Sequence, residues 1–299
     1  MDYFNIIQNY YTGNYSECLK ETLKNEDAED NTLTYYKGMS QMALKNYTIG
    51  AVTSPLGKIL DAYSVFLNDK DLSKLKSSIP EDAANGFELH LLASALVITG
   101  ELSEALDVCT KGLDSITTEE DRSSNGYIEL SLLAVQIALL KGEQTTASNI
   151  YYSIEQRLTL NNEGEIIQNL AEAYVKFAKN QDTSGLNFYY FEELAQTYPN
   201  WKTQLGLLNL HLQQGNIAEA QGIVDVLESD YYQVEQTDSA ETFKPNFISS
   251  KITLAAMQGL DTVETLKKEL TALDPEHPLI KNDKEVNARF DELVIKFKN

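Results

Sequence analysis

Apolar residues recur along the chain at the spacing of packed helices. The clearest stretch, residues 87–113, reads FELHLLASALVITGELSEALDVCTKGL and has the form of a helix, a turn and a second helix. Leu92 and Leu96 fall on one face of the first helix, and Gly100 provides the left-handed conformation that ends it. The small Ala105 lets the second helix approach closely. The spacing is that of a tetratricopeptide-like repeat.

The same unit recurs along the whole chain. Residues 204–227, QLGLLNLHLQQGNIAEAQGIVDVL, match the repeat around Gly215, and weaker copies turn at Gly13, Gly142, Gly185 and Gly259. No stretch of useful length alternates apolar and polar residues as a strand does. We therefore predict an all-α fold, a tetratricopeptide-like α-solenoid of about seven helix pairs that forms a single domain over residues 1–299.

The last segment, residues 283–299, predicts an amphipathic helix. Its apolar residues form one stripe opposite charged residues: Val286, Phe290, Leu293, Val294 and Phe297. We expect a C-terminal capping helix that covers the apolar face of the last repeat. A helix that binds a partner is the alternative interpretation.

Charge excludes two classes of partner. The chain has 45 acidic and 24 basic residues, for a formal charge of −21. Such a surface repels nucleic acid and anionic lipid, and the longest apolar stretch, near residues 130–140, is too short to span a bilayer. The beginning MDYFNIIQNYYTG lacks the basic and apolar regions of a signal peptide. We predict a cytoplasmic protein that contacts neither nucleic acid nor the membrane interior.

The chain offers no candidate catalytic residues, metal ligands or cofactor site. Of the three histidines, none has a second His or Cys three or four residues away, and His90 is expected on a surface-facing helix position. Cys18 and Cys109 are far apart in sequence. Phosphate-binding loops and hydrolase motifs are missing from the sequence. We therefore predict a protein that is not an enzyme and needs no cofactor.

Five tyrosine pairs stand at neighbouring positions, beginning at residues 10, 35, 151, 189 and 231. Because neighbours on a helix point about 100° apart, one ring can pack in the core while the other reaches the surface. Core packing is the expected role, and aromatic anchors in a protein interface are the alternative.

One long segment resembles a known family. Residues 187–224, NFYYFEELAQTYPNWKTQLGLLNLHLQQGNIAEAQGIV, are similar to the ε subunit of coatomer, the COPI vesicle coat, in its fungal form. The start MDYFNIIQNYYTGNY and the C-terminal FDELV fit the same family. The resemblance implies a non-catalytic coat subunit, peripheral on Golgi membranes and COPI vesicles, that acts in Golgi-to-ER retrograde and intra-Golgi transport. It also implies that the chain binds and stabilises the C-terminal region of the α subunit and meets other coatomer subunits indirectly.

Repeat geometry predicts which residues contact the partner, since the first helix of each pair lines the concave face of a solenoid. The predicted partner-binding residues are His90, Ser94, Glu129, Leu132, Gln136, Leu139, Gln168 and Glu172. Leu132 and Leu139 are singled out as exposed apolar residues, although they could instead pack on the adjacent repeat.

Two other classes stay open. A general peptide-binding repeat adaptor is the alternative function, but adaptors that hold a peptide carboxylate use clustered Lys and Arg, whereas these positions are acidic or apolar. An enzyme carried on a repeat scaffold has no supporting residues in the sequence.

Overall fold

The computed structural model describes residues 3–24, 30–80, 84–116, 118, 125–157, 164–180 and 186–297. Helices make up 81% of these described residues, which contain no strand. The predicted all-α helical-repeat fold is therefore confirmed. The chain divides into two compact units, Met1–Gln181 and Asp182–Asn299. The single domain over residues 1–299 stays a prediction.

Ten helices are described in the N-terminal unit. They are α1 (Phe4–Thr12), α2 (Tyr15–Leu23), α3 (Asn31–Ala43), α4 (Pro55–Asp69), α5 (Leu72–Ser78), α6 (Gly86–Ile98), α7 (Leu102–Ser115), α8 (Tyr127–Leu140), α9 (Gln144–Arg157) and α10 (Glu165–Ala178). The short turns between α1 and α2, α6 and α7, and α8 and α9 make each of these pairs antiparallel neighbours.

Six α-helices and a π-helical turn are described in the C-terminal unit. They are α11 (Leu186–Thr197), α12 (Trp201–Gln214), α13 (Ile217–Leu227), the π-helical turn (Tyr231–Glu235), α14 (Thr237–Gln258), α15 (Val263–Leu273) and α16 (Pro278–Phe297). Among the described helices, five of the six repeats named from the sequence lie within one unit, whereas α10 and α11, the helices of the sixth, lie in different units.

Glycine ends the first helix of several pairs, as the sequence predicts. Gly13, Gly100, Gly142, Gly215 and Gly259 all have positive φ, between 69° and 90°. At Gly100 this conformation lets the next amide, that of Glu101, donate to the carbonyl of Leu96 at 2.8 Å. The predicted turn at Gly185 lies outside the described residues.

Side-chain caps fix where two of the first helices begin. Asn85 accepts a hydrogen bond from the backbone N–H of Glu88, and the carboxylate of Glu88 accepts one from the Asn85 backbone. Asn200 forms the same kind of reciprocal cap with Thr203 at the start of α12. These capping boxes satisfy donors that a helix leaves unpaired at its N-terminus.

Helix α8 is the centre of the N-terminal unit. It is packed between α6, α7, α9 and α10, and its Leu130, Ala134 and Val135 are fully buried. Helix α1 contacts α3 and also α10. The N-terminal helix therefore packs on a helix that lies far along the sequence.

The C-terminal unit is built around Trp201, which is 1% exposed. Its ring lies edge-on to those of Tyr232 and Phe247, and its indole N–H donates to the Tyr232 carbonyl at 3.1 Å. A second, smaller apolar cluster joins Leu270 of α15 to Ile280 of α16.

The C-terminal helix differs from the predicted capping helix. It begins earlier than residue 283, at Pro278, and the residues that pack against the preceding helices are Leu279 and Ile280. Four of the five residues of the predicted stripe are exposed instead, including Phe290 at 65% and Phe297 at 81%, whereas Val294 is half-buried. Beyond Leu279 and Ile280, Asp283 accepts a hydrogen bond from Lys267 of α15 at 2.9 Å. Apolar packing on the preceding helices is confined to the first turn of α16.

Candidate partner-binding groove

An open apolar groove lies where α6, α8 and α10 pass side by side. Its volume is about 490 Å³. The lining residues are almost all apolar: Val97 of α6, Leu133, Gln136, Ile137, Leu139 and Leu140 of α8, and Tyr174, Phe177 and Ala178 of α10. A concave surface of this composition is typical of a binding site.

Two of the lining side chains are markedly exposed. Leu140 is 62% and Phe177 is 39% exposed. Burying such side chains against a partner gives about 25 cal/mol for each Å² of apolar surface removed from water. The groove can therefore contribute substantially to binding an apolar segment of a partner.

The groove contains one polar pair. The side chains of Gln136 and Tyr174 are hydrogen-bonded to each other, and burial raises the pKa of the Tyr174 phenol. The phenol is therefore neutral at physiological pH, and the groove offers no Lys or Arg among its lining residues. Its chemistry suits apolar side chains and neutral polar groups.

The structure brings two of the eight predicted partner-binding residues, Gln136 and Leu139, into the groove. Leu132 is 4% exposed, so the prediction that it is an exposed apolar residue is wrong. It packs inside the unit because α8 is covered by neighbours on most of its sides. Partner contact through these positions stays a prediction.

Glu129, also predicted to contact the partner, is buried in a cluster of tyrosines. It is 4% exposed and accepts a hydrogen bond from the Tyr36 hydroxyl at 2.6 Å. Tyr11 hydrogen-bonds Tyr36 in turn, and burial raises the pKa of the Glu129 carboxyl. The hydrogen bond of Glu129 therefore joins α8 to Tyr36 of α3 inside the unit.

The other predicted residues are half-buried. His90 is not on the open surface that the sequence suggested: its ring bonds the Tyr35 hydroxyl at 2.9 Å, and burial lowers its pKa to about 4. The Ser94 Oγ lies 3.5 Å from Nδ1 of the His90 ring. Gln168 bonds Tyr151, and Glu172 pairs with Lys176 at 2.5 Å.

Sequence reasoning missed most of the groove. Leu133, Leu140 and Phe177 were not predicted to contact a partner, although they supply much of its apolar surface. Helix α8 has apolar residues on nearly every side. The spacing of its apolar residues therefore does not indicate which side remains uncovered by other helices. The available signal was the run Leu139-Leu140 at the end of that helix, where coverage by neighbours stops.

The described residues show no sign of catalytic or metal chemistry. Among them, no group of three or more His, Cys, Asp or Glu side chains could hold a metal ion. Burial raises the pKa of Cys18 to about 11 and that of Cys109 to about 12, so both thiols stay protonated and unreactive. In the part of the chain that the structure describes, no helix has the length and apolar character needed to cross a bilayer.

Helical repeats that present an open apolar groove are typical of proteins that bind other proteins. Comparison with known proteins is more specific. The family model for the coatomer epsilon subunit matches residues 2–298. The coatomer subunit epsilon of Saccharomyces cerevisiae (strain ATCC 204508 / S288c) is 50% identical over 299 residues, which cover 99% of each chain.

The chain therefore belongs to the coatomer epsilon subunit family. It is a structural subunit of the COPI vesicle coat and not an enzyme. The resemblance drawn from residues 187–224 is confirmed, and other coatomer subunits are its partners.

Proposed function

We propose that the chain binds the C-terminal region of the coatomer α subunit through the groove between α6, α8 and α10, and thereby stabilises that subunit. The observation that carries the proposal is the exposure of Leu140 and Phe177 in an apolar groove of a coat-family protein. Exposed apolar surface of this kind is stabilised when a partner covers it.

The proposed setting is the cytoplasm, with the chain peripheral on Golgi membranes and COPI vesicles in retrograde and intra-Golgi transport. The formal charge of −21 supports indirect attachment through the coat, because the chain would be repelled by an anionic lipid surface. The apolar lining of the groove favours a coat partner over a peptide carboxylate, since it lacks the basic side chains that such a carboxylate needs.

Two charged substitutions test the groove. Leu140→Asp and Phe177→Asp place a carboxylate in the apolar surface, so each should weaken binding to a purified C-terminal fragment of the α subunit by roughly ten-fold or more. Leu23→Asp is the matched control, because Leu23 is 55% exposed in the same unit but does not line the groove. Isothermal titration calorimetry gives the affinities, and circular dichroism verifies that each variant is folded.

The possible outcomes distinguish an error in the binding surface from an error in the identity of the partner. If the groove variants bind like the parent chain, the α subunit is held elsewhere. If the parent chain fails to co-elute with a folded α fragment in size-exclusion chromatography, the partner is wrong, and titration with acidic and apolar peptides then tests the adaptor function.

A further inference from the structure

Helix α16 carries an apolar surface that nothing in the described chain covers. We call this surface the C-terminal stripe and define it by Val286, Phe290, Leu293 and Phe297. Their exposed fractions are 58%, 65%, 39% and 81%. Two phenylalanines and two aliphatic side chains on one exposed face form a larger apolar surface than a solvent-facing helix normally presents.

The spacing of the C-terminal stripe indicates a helical partner. Its members follow one another by four, three and four residues, which is the alternation of the two core positions of a heptad. Side chains at this spacing act as knobs that fit between the side chains of a facing helix. A groove for an extended peptide would not require this period.

The size of the stripe argues against a second copy of the same chain as the occupant. The four residues span three helical turns, about 17 Å. Two such faces would bury roughly 600–800 Å² in total, whereas a stable interface buries about 1,200–2,000 Å². A stable occupant must therefore be held by other contacts as well, as a neighbouring subunit of the same coat would be.

Charge along the edge of the stripe points the same way. Arg289 and Lys296 lie seven residues apart on the same edge, in a chain whose formal charge is −21. Two antiparallel copies would bring these basic edges together, which is repulsive. Arg289 is paired with Glu292 at 3.0 Å, but both side chains are about 70% exposed, so this pair contributes little and can be exchanged.

We propose that the C-terminal stripe docks a helix of another coat subunit, one that carries apolar side chains at heptad spacing and acidic side chains along the edge that faces Arg289 and Lys296. This inference goes beyond the proposed function, because the stripe is a surface distinct from the groove. It gives α16 a role as a connector in the coat, in addition to the packing of Leu279 and Ile280 on the preceding helices.

Photo-cross-linking tests the identity of the occupant. The photoreactive analogue p-benzoylphenylalanine replaces Phe290 in the full chain, which is then assembled with the purified remaining coat subunits and irradiated. Ile295 is the matched control position, because it is 68% exposed on the opposite face of the same helix. We expect a cross-link from position 290 to a helix of another subunit, with about ten-fold lower yield from position 295.

Affinity measurements test the energetics. The double variant Phe290→Ser and Phe297→Ser should bind the purified remaining subunits about ten-fold more weakly, whereas Ile295→Ser should bind like the parent chain. Arg289→Glu with Lys296→Glu should also weaken binding, and this loss should shrink as the salt concentration rises from about 0.05 to 0.5 M.

Each contrary outcome overturns the proposal. A cross-link to a second copy of the chain, equal yields at positions 290 and 295, or no cross-link at either position would show that no helix of another subunit occupies the stripe. The groove variant Leu140→Asp keeps the two proposals apart: it tests the groove alone, and the stripe variants test α16 alone.

Discussion

Helices α8 and α16 are both rich in apolar residues, but their surroundings differ. Helix α8 is apolar on nearly every side and is packed between four other helices. Helix α16 has apolar residues along one face and charges elsewhere, and its apolar packing on its neighbours is confined to its first turn. The comparison shows that the number of covered sides, and not the apolar content alone, decides whether a helix forms the core or presents a surface.

The two helices also differ in where they leave apolar surface open. In α8 the opening is local, at Leu140 and the groove beside it. In α16 the open surface runs along the length of the helix, from Val286 to Phe297. A groove holds a segment that enters it, whereas a stripe pairs with another helix.

The largest expected effect is in the core of α8. Leu130→Ala should lower the free energy of unfolding by about 2–5 kcal/mol, because the side chain is fully buried and a cavity would remain. Leu140→Ala on the same helix should change it by less than about 0.5 kcal/mol, since Leu140 is 62% exposed. Urea unfolding followed by circular dichroism measures both. Equal losses would contradict the contrast between covered and open sides of α8.

A smaller effect concerns the buried carboxyl of α8. Burial raises the pKa of Glu129, so the folded chain binds a proton where the unfolded chain has released it. The stability that the Glu129 carboxyl contributes is fully present below its pKa in the unfolded chain, about 4.3. This stability is lost as the pH rises through the higher pKa of Glu129 in the folded chain. Glu129→Gln has no such loss, so its stability relative to the parent chain should rise as the pH is raised from about 5 to about 8.

Urea midpoints across that pH range measure this difference. Other carboxyl groups titrate alike in both proteins and cancel. A constant difference would mean that Glu129 titrates in the folded chain as it does in the unfolded chain.

The smallest expected effect is on the stripe of α16 in the free chain. Phe290→Ser should change the free energy of unfolding by less than about 0.5 kcal/mol, because the ring is 65% exposed. Ile280→Ala, at a buried position of the same helix, should cost about 2 kcal/mol or more. Thermal unfolding of both variants verifies the difference. A large loss for Phe290→Ser would mean that the stripe already stabilises the chain by itself.

Much of the fold could be predicted from the sequence, because it depends on local patterns. The glycine turns at Gly100 and Gly215 and the small Ala105 are set by short-range geometry, and the structure has them as predicted. The tyrosine pairs were predicted in part. Tyr232 is buried and Tyr231 exposed, as expected for neighbours on a helix, whereas Tyr35 and Tyr36 are both fully buried because α3 is covered on two sides.

The candidate surfaces were harder to predict, because they depend on which helices meet. Leu132 was expected to be exposed, with packing on the adjacent repeat as the alternative, and it is buried. The stripe was expected to cover the last repeat, with partner binding as the alternative, and its phenylalanines are exposed. In both cases the helix and its apolar face were identified correctly. The local sequence does not determine which other helix covers that face, because contacts such as that of α1 with α10 join residues far apart in the chain.

The position of Trp201 gives the molecule a built-in optical probe. It is the single tryptophan of the chain, and it is buried in the core of the C-terminal unit. Most of the tyrosines of the chain, including the cluster around Glu129, lie in the N-terminal unit. Tryptophan emission therefore reports on the C-terminal unit alone, and circular dichroism of the helices reports on both units in the same unlabelled sample. Coincident transitions would identify one cooperative body, and separated transitions would identify two.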